Sequence, residues 1–197
     1  MRHLLCLAFL LLPVAAAPDE KPAEDPRRLK PGDAPTPYTA DEIRKACPEG
    51  RTDVFRIEAM AGVTIMTMKF GKCDENGAEI ETTVAKEDGA ALGSRTRTAT
   101  WKELQEHGSF PEKETTITEE TVEVPGGKFD CLLYTVVQKM EGAGTATVRM
   151  YFPKDRAGPP VKTTRESEGK VISSMTLLKH SAPAAEKPAD DAKPAGN

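Results

Sequence analysis

The central part of the chain consists of short segments in which apolar and polar residues alternate. In DVFRIEA, for example, Phe55, Ile57 and Ala59 fall on one face of a strand, and Arg56 and Glu58 fall on the other. Turn-forming sequences such as PGG, EGAG and SEGK recur at intervals of roughly ten residues, a spacing that is typical of all-β sandwiches and barrels. This pattern restricts the chain to a mainly β fold.

Each segment that alternates in this way is predicted to form one strand. Asn76 and Gly77 lie between the second and third segments and form the dipeptide that most favours a tight hairpin turn. The chain is predicted to leave the sheet after Val84 and to return at Thr115. The eight predicted strands are DVFRIEA, VTIMTMKF, AEIETTV, TTITEETVEV, KFDCLLYTVVQKM, GTATVRMYF, PVKTTRE and VISSMTLLK.

Two short helices are predicted from their capping residues. Thr39 precedes Glu42 by three residues, and Thr100 precedes Glu103 by three, the spacing of the capping box that begins a helix. Pro and Gly soon after KAC end the first helix, because neither continues a helical turn. Gly108 is expected to end the second helix in a left-handed conformation.

The first residues predict a secretory signal peptide over residues 1–16. Arg2 precedes the apolar run LLCLAFLLLPV, which is shorter than the roughly 20 residues that span a bilayer. Val14 and Ala16 are small residues at the positions that signal peptidase reads, so we expect cleavage after Ala16. The expected product is an exported, soluble chain, periplasmic or extracellular, without a transmembrane segment.

The two ends of the remaining chain have the composition of disordered segments. Residues 17–37 and 181–197 consist largely of Pro, Ala, Lys, Glu and Asp. Such residues bury too little apolar surface to offset a backbone entropy cost on the order of 1–2 kcal/mol per residue. We therefore predict a disordered Pro-rich linker over 17–37, a β-rich folded domain over 38–180 and a disordered tail over 181–197.

Charge and motif content argue against several classes of protein. The net charge is −4, and the 27 Lys and Arg residues are dispersed among 31 Asp and Glu residues, which does not favour nucleic acid as a partner. Neither His107 nor His180 lies in a metal-ligand spacing such as HExxH, and there is no GxSxG nucleophile motif. The sequence therefore predicts a protein without enzymatic activity, metal or cofactor.

The segment VPGGKFDC contains residues that also occur in phosphate-binding loops and nucleophile sites. In a phosphate loop, the lysine is followed by Ser or Thr and a helix, whereas Lys128 is followed by Phe129 and a predicted strand. Cys131 falls on the same face of that strand as Phe129 and Leu133. We interpret the segment as a turn that leads into a core strand.

Three cysteines follow the predicted signal peptide, namely Cys47, Cys73 and Cys131. Because an exported chain meets oxidising conditions, we expect one disulfide among them and one buried thiol, with all three pairings open. A redox or metal site is the alternative, although no CxxC spacing supports it.

Several motifs resemble those of uncharacterised exported bacterial β-rich proteins. They are YTADEIRKA, VPGGKFDC, AGPPVK and the pattern W-x-E-L-x-x-H-x-x-F-P that begins at Trp101. The resemblance implies a single strongly curved antiparallel sheet, a half-barrel of about eight strands with two short helices against it, similar to periplasmic lipoprotein carriers (LolA/LolB-like). It permits a binding role and implies no catalytic residues.

Two classes of function remain open. The first is a non-enzymatic binding module that holds an apolar or lipid-like ligand on the concave face of the sheet, beneath a lid formed by the second helix. Methionine adapts to irregular partners, which favours this class. The alternative is a structural or protein-interaction component of the cell envelope without a small-molecule ligand. The candidate ligand-binding residues are Met66, Met68, Trp101, Met150 and Met175.

Overall fold

The computed structural model describes residues 25–139 and 144–181. The predicted signal peptide, residues 17–24 of the predicted linker and residues 182–197 of the predicted tail lie outside the described residues.

Within the described residues, the chain forms nine β-strands, two α-helices and one short 3-10 helix at Glu112–Glu114. The helices are α1 (Ala40–Ala46) and α2 (Trp101–Glu106). The strands are β1 (Thr52–Ala59), β2 (Gly62–Cys73), β3 (Gly77–Lys86), β4 (Ala91–Thr100), β5 (Thr115–Val124), β6 (Gly127–Lys139), β7 (Thr145–Pro153), β8 (Lys162–Ser167) and β9 (Lys170–Ser181).

All nine strands belong to one antiparallel sheet, in the order β4-β3-β2-β1-β9-β8-β7-β6-β5. The sheet is open, with β4 and β5 at its two edges. It is also strongly curved, because the backbone N of Gly126, in the β5–β6 turn, donates to the carbonyl O of Leu177 in β9 at 3.0 Å, although β7 and β8 separate β6 from β9 in the strand order. The predicted fold class, a mainly β half-barrel with two short helices, is confirmed.

The strand that the sequence did not predict is β4. The chain does not leave the sheet near Val84, because β3 continues to Lys86 and β4 then pairs along it. The sequence of β4, ALGSRTRTAT, has few large apolar residues, and most of its positions are exposed. An edge strand of this kind does not need an apolar face, so the alternation that reveals the other strands is absent.

Both predicted capping boxes are present. The backbone N of Glu42 donates to Thr39 Oγ1 at 3.2 Å, and that of Glu103 donates to Thr100 Oγ1 at 3.1 Å. The predicted left-handed conformation of Gly108 is wrong, since Gly108 is not among the glycines with positive φ. A Cβ at this position would lie 2.8 Å from Cδ of Pro37, so glycine is needed for close contact.

Residues 25–37 were predicted as part of a disordered linker, and this part of the prediction does not hold. Thr36 is 1% exposed, and the backbone N of Ala34 donates to the carbonyl O of Phe110 at 2.9 Å. The buried amide of Gln105 donates to the carbonyl O of Pro26 at 2.9 Å and to Thr36 Oγ1 at 3.0 Å. Polar contacts to Gln105 of α2 and to Phe110 therefore hold a segment that has few apolar residues of its own.

The buried apolar side chains form two clusters. The helix-side cluster lies between the helices and the sheet, and the β9-side cluster lies around β5, β6 and β9. Strand β6 contributes to both, with Tyr134 and Val136 in the first and Phe129, Cys131 and Leu133 in the second. The interpretation of VPGGKFDC as a turn leading into a core strand is confirmed, since β5 ends at Val124, β6 begins at Gly127 and Cys131 is 0% exposed.

Candidate ligand pocket

A pocket of about 250 Å³ lies between the two helices and the sheet, within the helix-side cluster. Its floor is formed by β2, β3 and β7, its roof by α1 and α2, and one side by the loop between β7 and β8. The lining side chains are mostly apolar: Pro37, Tyr38, Ile43, Cys47, Met68, Phe70, Ile80, Leu104, Met150, Phe152, Pro159 and Pro160, with Arg97, Gln105 and His107 as polar members.

The strand register places the floor residues on one face. Phe70 pairs with Ile80, and Ile80 pairs with Arg97, so these three side chains form a row across β2, β3 and β4. Directly opposed residues of an antiparallel pair lie on the same face, with Cβ atoms about 5 Å apart. The row is apolar along β2 and β3 and ends in a cation on the edge strand.

Most polar groups at the pocket are already bonded within the protein. The Tyr38 hydroxyl donates to the carbonyl O of Pro153, and burial raises the pKa of this phenol above its usual range. Gln105 Oε1 accepts from the backbone N of Ala40 at 3.0 Å. Burial also raises the pKa of the Cys47 thiol to about 11, so this group stays protonated at neutral pH. These groups present an uncharged surface to the pocket.

A buried ionic network lies beside the pocket. Asp53 is 0% exposed and pairs with Arg51 through Nε at 3.1 Å and with Arg156. Arg51 Nη1 also donates to the carbonyl O of Ala157 at 2.7 Å, which fixes the loop between β7 and β8. Gly158 in this loop has φ +141, and a Cβ there would lie 2.7 Å from Arg51 Nη2.

The sequence did not predict this network. The sequence does contain one indication of the network, because Asp53 shares a strand face with Phe55 and Ile57. A carboxylate on the apolar face of a strand needs a buried cationic partner. The second partner, Arg156, is 103 residues away in sequence, so the local pattern does not reveal it.

The four predicted methionines all lie on the same face of the sheet, but in two places. Met68 and Met150 line the pocket. Met66 pairs with Phe55, and Met175 pairs with Ile57, and both pack against the β9-side cluster. The structure therefore brings Met68 and Met150 together at one site and places the other two outside it.

Trp101 does not line the pocket. Its side chain is 4% exposed in the helix-side cluster, and its indole Nε1 donates to the carbonyl O of Asp74 at 3.0 Å. Leu104, one turn further along α2, does line the pocket. The apolar side of α2 therefore anchors the helix at Trp101 and contacts the pocket at Leu104.

All three cysteines are free thiols in this structure. Cys73 Sγ lies 3.6 Å from the carbonyl O of Cys47, so these two residues are neighbours. Cys131 is buried in the β9-side cluster. A disulfide in the oxidised chain stays a prediction, and the structure places Cys47 beside Cys73 rather than beside Cys131.

In the described part of the chain, no group of three or more His, Cys, Asp or Glu side chains is arranged to hold a metal ion. The helices seen in residues 25–139 and 144–181 include none with the length and apolar character needed to cross a membrane.

No protein-family model matches this sequence, and no curated protein matches it significantly. Solved structures with a similar fold include MucB in complex with MucA, with a TM-score of 0.50 at 12% identity over 76% of this chain and 57% of that chain. The MucA/MucB complex of Pseudomonas aeruginosa gives 0.50 at 15% identity, over 77% and 57%. At this identity, the similarity shows a shared fold.

Two shorter proteins match over nearly their whole length. One is a candidate lipoprotein from Parabacteroides distasonis, with a TM-score of 0.47 at 11% identity over 68% of this chain and 96% of that chain. The other is a candidate exported protein with a YmcC-like fold from Bacteroides fragilis, with a TM-score of 0.45 at 12% identity over 68% and 97%.

Proposed function

We propose that this chain is an exported, non-enzymatic binding protein that holds an apolar or lipid-like ligand in the pocket between its helices and its sheet. The observation that carries the proposal is an apolar pocket of about 250 Å³ within an otherwise packed cluster. Protein interiors rarely leave voids larger than a water molecule, and apolar pockets with a few polar groups are the usual form of ligand sites.

The internal bonding of Tyr38 and Gln105 also supports an apolar ligand. Because these groups already have partners, a ligand does not need to satisfy them, and binding depends on apolar contact. The two methionines in the lining, Met68 and Met150, adjust to ligands of different shape more easily than branched side chains do.

The neutral fluorescent probe N-phenyl-1-naphthylamine tests this proposal. We expect saturable binding to the wild-type chain and at least fivefold weaker binding to Leu104→Phe, because the larger ring occupies part of the pocket. Leu178→Phe is the control, since Leu178 is also partly buried but does not line the pocket.

Thermal unfolding of each variant separates loss of the site from loss of the fold. Equal probe affinity in wild type and in a folded Leu104→Phe variant would show that the pocket is not the binding site. Absence of saturable binding to the wild type would contradict the proposal altogether. If the probe binds, native mass spectrometry of the protein from its own host identifies what the pocket carries.

The second candidate function is binding of a protein partner in the cell envelope. Four adjacent hairpins at one end of the sheet carry exposed apolar side chains, and MucB, which shares the fold, is found in complex with a protein. These side chains are Met60, Leu92, Val137 and Val171, with exposures of 93%, 53%, 44% and 59%. A Met60→Glu/Val171→Glu variant is expected to lose such a partner in cross-linking while it retains probe binding.

A further inference from the structure

Arg97 has a position that the apolar character of the pocket does not explain. It lies on the edge strand β4, directly opposite Ile80, at the end of the row that begins at Phe70. It lines the pocket and also lines an adjoining groove of about 380 Å³ with Thr82, Val84 and Arg95. Arg97 therefore stands where the apolar pocket meets the open part of the same sheet face.

A second arginine, Arg95, ends the neighbouring row of side chains in the same way. Met68 pairs with Thr82, and Thr82 pairs with Arg95, so this row also runs from the pocket floor to a cation on β4. Arg95 and Arg97 are two residues apart and share a strand face. Two neighbouring rows of the floor thus end in guanidinium groups at the same edge.

These cations lack the carboxylate partners that most other arginines here possess. Among the described residues, no carboxylate forms an ion pair with Arg95 or Arg97, whereas Arg51, Arg56, Arg149 and Arg156 are all paired. The linings of the pocket and of the adjoining groove contain no Asp or Glu. Both guanidinium groups therefore retain donors for an external anion.

Two acidic residues of α2 lie beside Arg97 at the protein surface. Glu103 and Glu106 share a shallow depression with Arg97 and His107 at the protein surface. Glu103 Oε2 accepts from the backbone N of Thr100 at 2.7 Å and from Thr100 Oγ1 at 3.0 Å, so this carboxylate is used in the helix cap. Glu106 is exposed to solvent, which screens its charge.

We propose that the ligand is an amphiphile with a single apolar chain and an anionic headgroup, and that Arg97, assisted by Arg95, binds the headgroup. The chain occupies the pocket, and the carboxylate or phosphate lies at its mouth on the edge strand. An arginine fork matches both headgroups, since each offers two oxygens to parallel N–H donors. This assignment rests on the proposed function, because it describes the ligand of the same pocket.

Displacement of N-phenyl-1-naphthylamine by three compounds of equal chain length tests the assignment. Dodecanoate and dodecyl phosphate carry the anionic groups, and dodecanol is the neutral reference. We expect each anion to bind the wild type about tenfold more tightly than dodecanol at low salt, the gain typical of a charge-assisted hydrogen bond. That ratio is expected to fall as salt is raised.

Arg97→Gln is expected to reduce the ratio of anion affinity to dodecanol affinity to about one, while the affinity for dodecanol itself stays unchanged. Arg149→Gln is the matched control, because Arg149 is also a strand arginine but projects from the opposite face to Met150. The control should keep the wild-type ratio. A preference for dodecanoate over dodecyl phosphate, or the reverse, would identify which headgroup the site favours.

Two results would overturn the assignment in different ways. Equal binding of dodecanol and both anions to the wild type would refute the anionic headgroup and leave the apolar pocket intact. A retained preference for the anions in Arg97→Gln would show that Arg97 does not bind the headgroup. Failure of all three compounds and of the probe itself to bind would instead refute the proposed function, and the assignment with it.

Discussion

At the scale of single residues, Asp53 is a buried charge on which several contacts depend. Its carboxylate is 0% exposed and is the shared partner of Arg51 and Arg156. Arg51 in turn connects the end of α1, through the carbonyl O of Ala46 at 2.8 Å, with the loop that closes the pocket. One carboxylate therefore pairs with two guanidinium groups where β1, the end of α1 and the β7–β8 loop meet.

Asp53→Asn is expected to lower the free energy of unfolding by about 3–5 kcal/mol, because it leaves buried positive charge without a partner. Urea unfolding monitored by circular dichroism measures the change. Asp41→Asn is the control, since the Asp41 side chain is 78% exposed and its contact with Arg44 is a surface ion pair. Equal, small effects in both variants would mean that the Asp53 network does not stabilise the fold.

For single residues, the sequence predicts the surroundings of a side chain when neighbours on the same strand determine them. The face of Cys131 was predicted correctly because its neighbours Phe129 and Leu133 mark that face. The environment of Cys47 could not be predicted in this way, since Arg51 Nη1 lies 3.1 Å from its Sγ and Ala157 packs beside it. The surroundings of such a residue are determined by contacts with other segments of the chain rather than by its own strand.

At the scale of elements, α2 contains only six residues and depends on its contacts. A helix this short is unstable in isolation, so its capping box and its buried side must hold it in place. Trp101 supplies that anchor through burial and through its hydrogen bond to Asp74. The helix is therefore held at its first residue, while Leu104 is available to the pocket.

Trp101→Ala is expected to cost about 3–5 kcal/mol of stability, the usual penalty for removing a buried indole from a core. Differential scanning calorimetry and urea unfolding measure this loss. Lys102→Ala is the control, because Lys102 is exposed on the same helix. If Trp101→Ala unfolds like the wild type, α2 is not anchored as described.

The N-terminal segment is an element that has no regular secondary structure. Its backbone bonds with Phe110 and with Gln105 of α2 replace the apolar contacts that hold a helix or strand. Composition predicted disorder here because it counts apolar residues and does not register backbone hydrogen bonds to a distant side chain. The pairing of Asp33 with Pro111 is a further contact of this kind.

Limited proteolysis is expected to leave a stable fragment that begins at or before Asp25. Truncation to Tyr38 removes the partners of the Gln105 amide and leaves that group buried and unsatisfied, which is expected to cost about 1–3 kcal/mol. Mass spectrometry of the digest identifies the fragment ends. Rapid cleavage between residues 25 and 37 in the folded protein would show that this segment is not docked.

At the scale of the whole molecule, the sequence predicted the fold class, eight of the nine strands and both helices. Those strands have a face to bury, as Phe55 and Ile57 illustrate, whereas the one buried residue of β4 is Ala99. The sequence did not predict where the pocket lies. The sheet curls through contacts such as that between Gly126 and Leu177, and the pattern within single strands does not reveal which methionines lie beneath the helices.

The most direct test of a ligand pocket beneath the helices uses the methionine methyl groups in NMR. With ¹³C-methyl methionine, each signal is assigned by a Met→Leu variant and followed during titration with dodecanoate. We predict that the signals of Met68 and Met150, which line the pocket, shift saturably, and that the signal of Met60, which is 93% exposed, does not. Shifts confined to Met60, or no saturable shift at Met68 and Met150, would contradict the account.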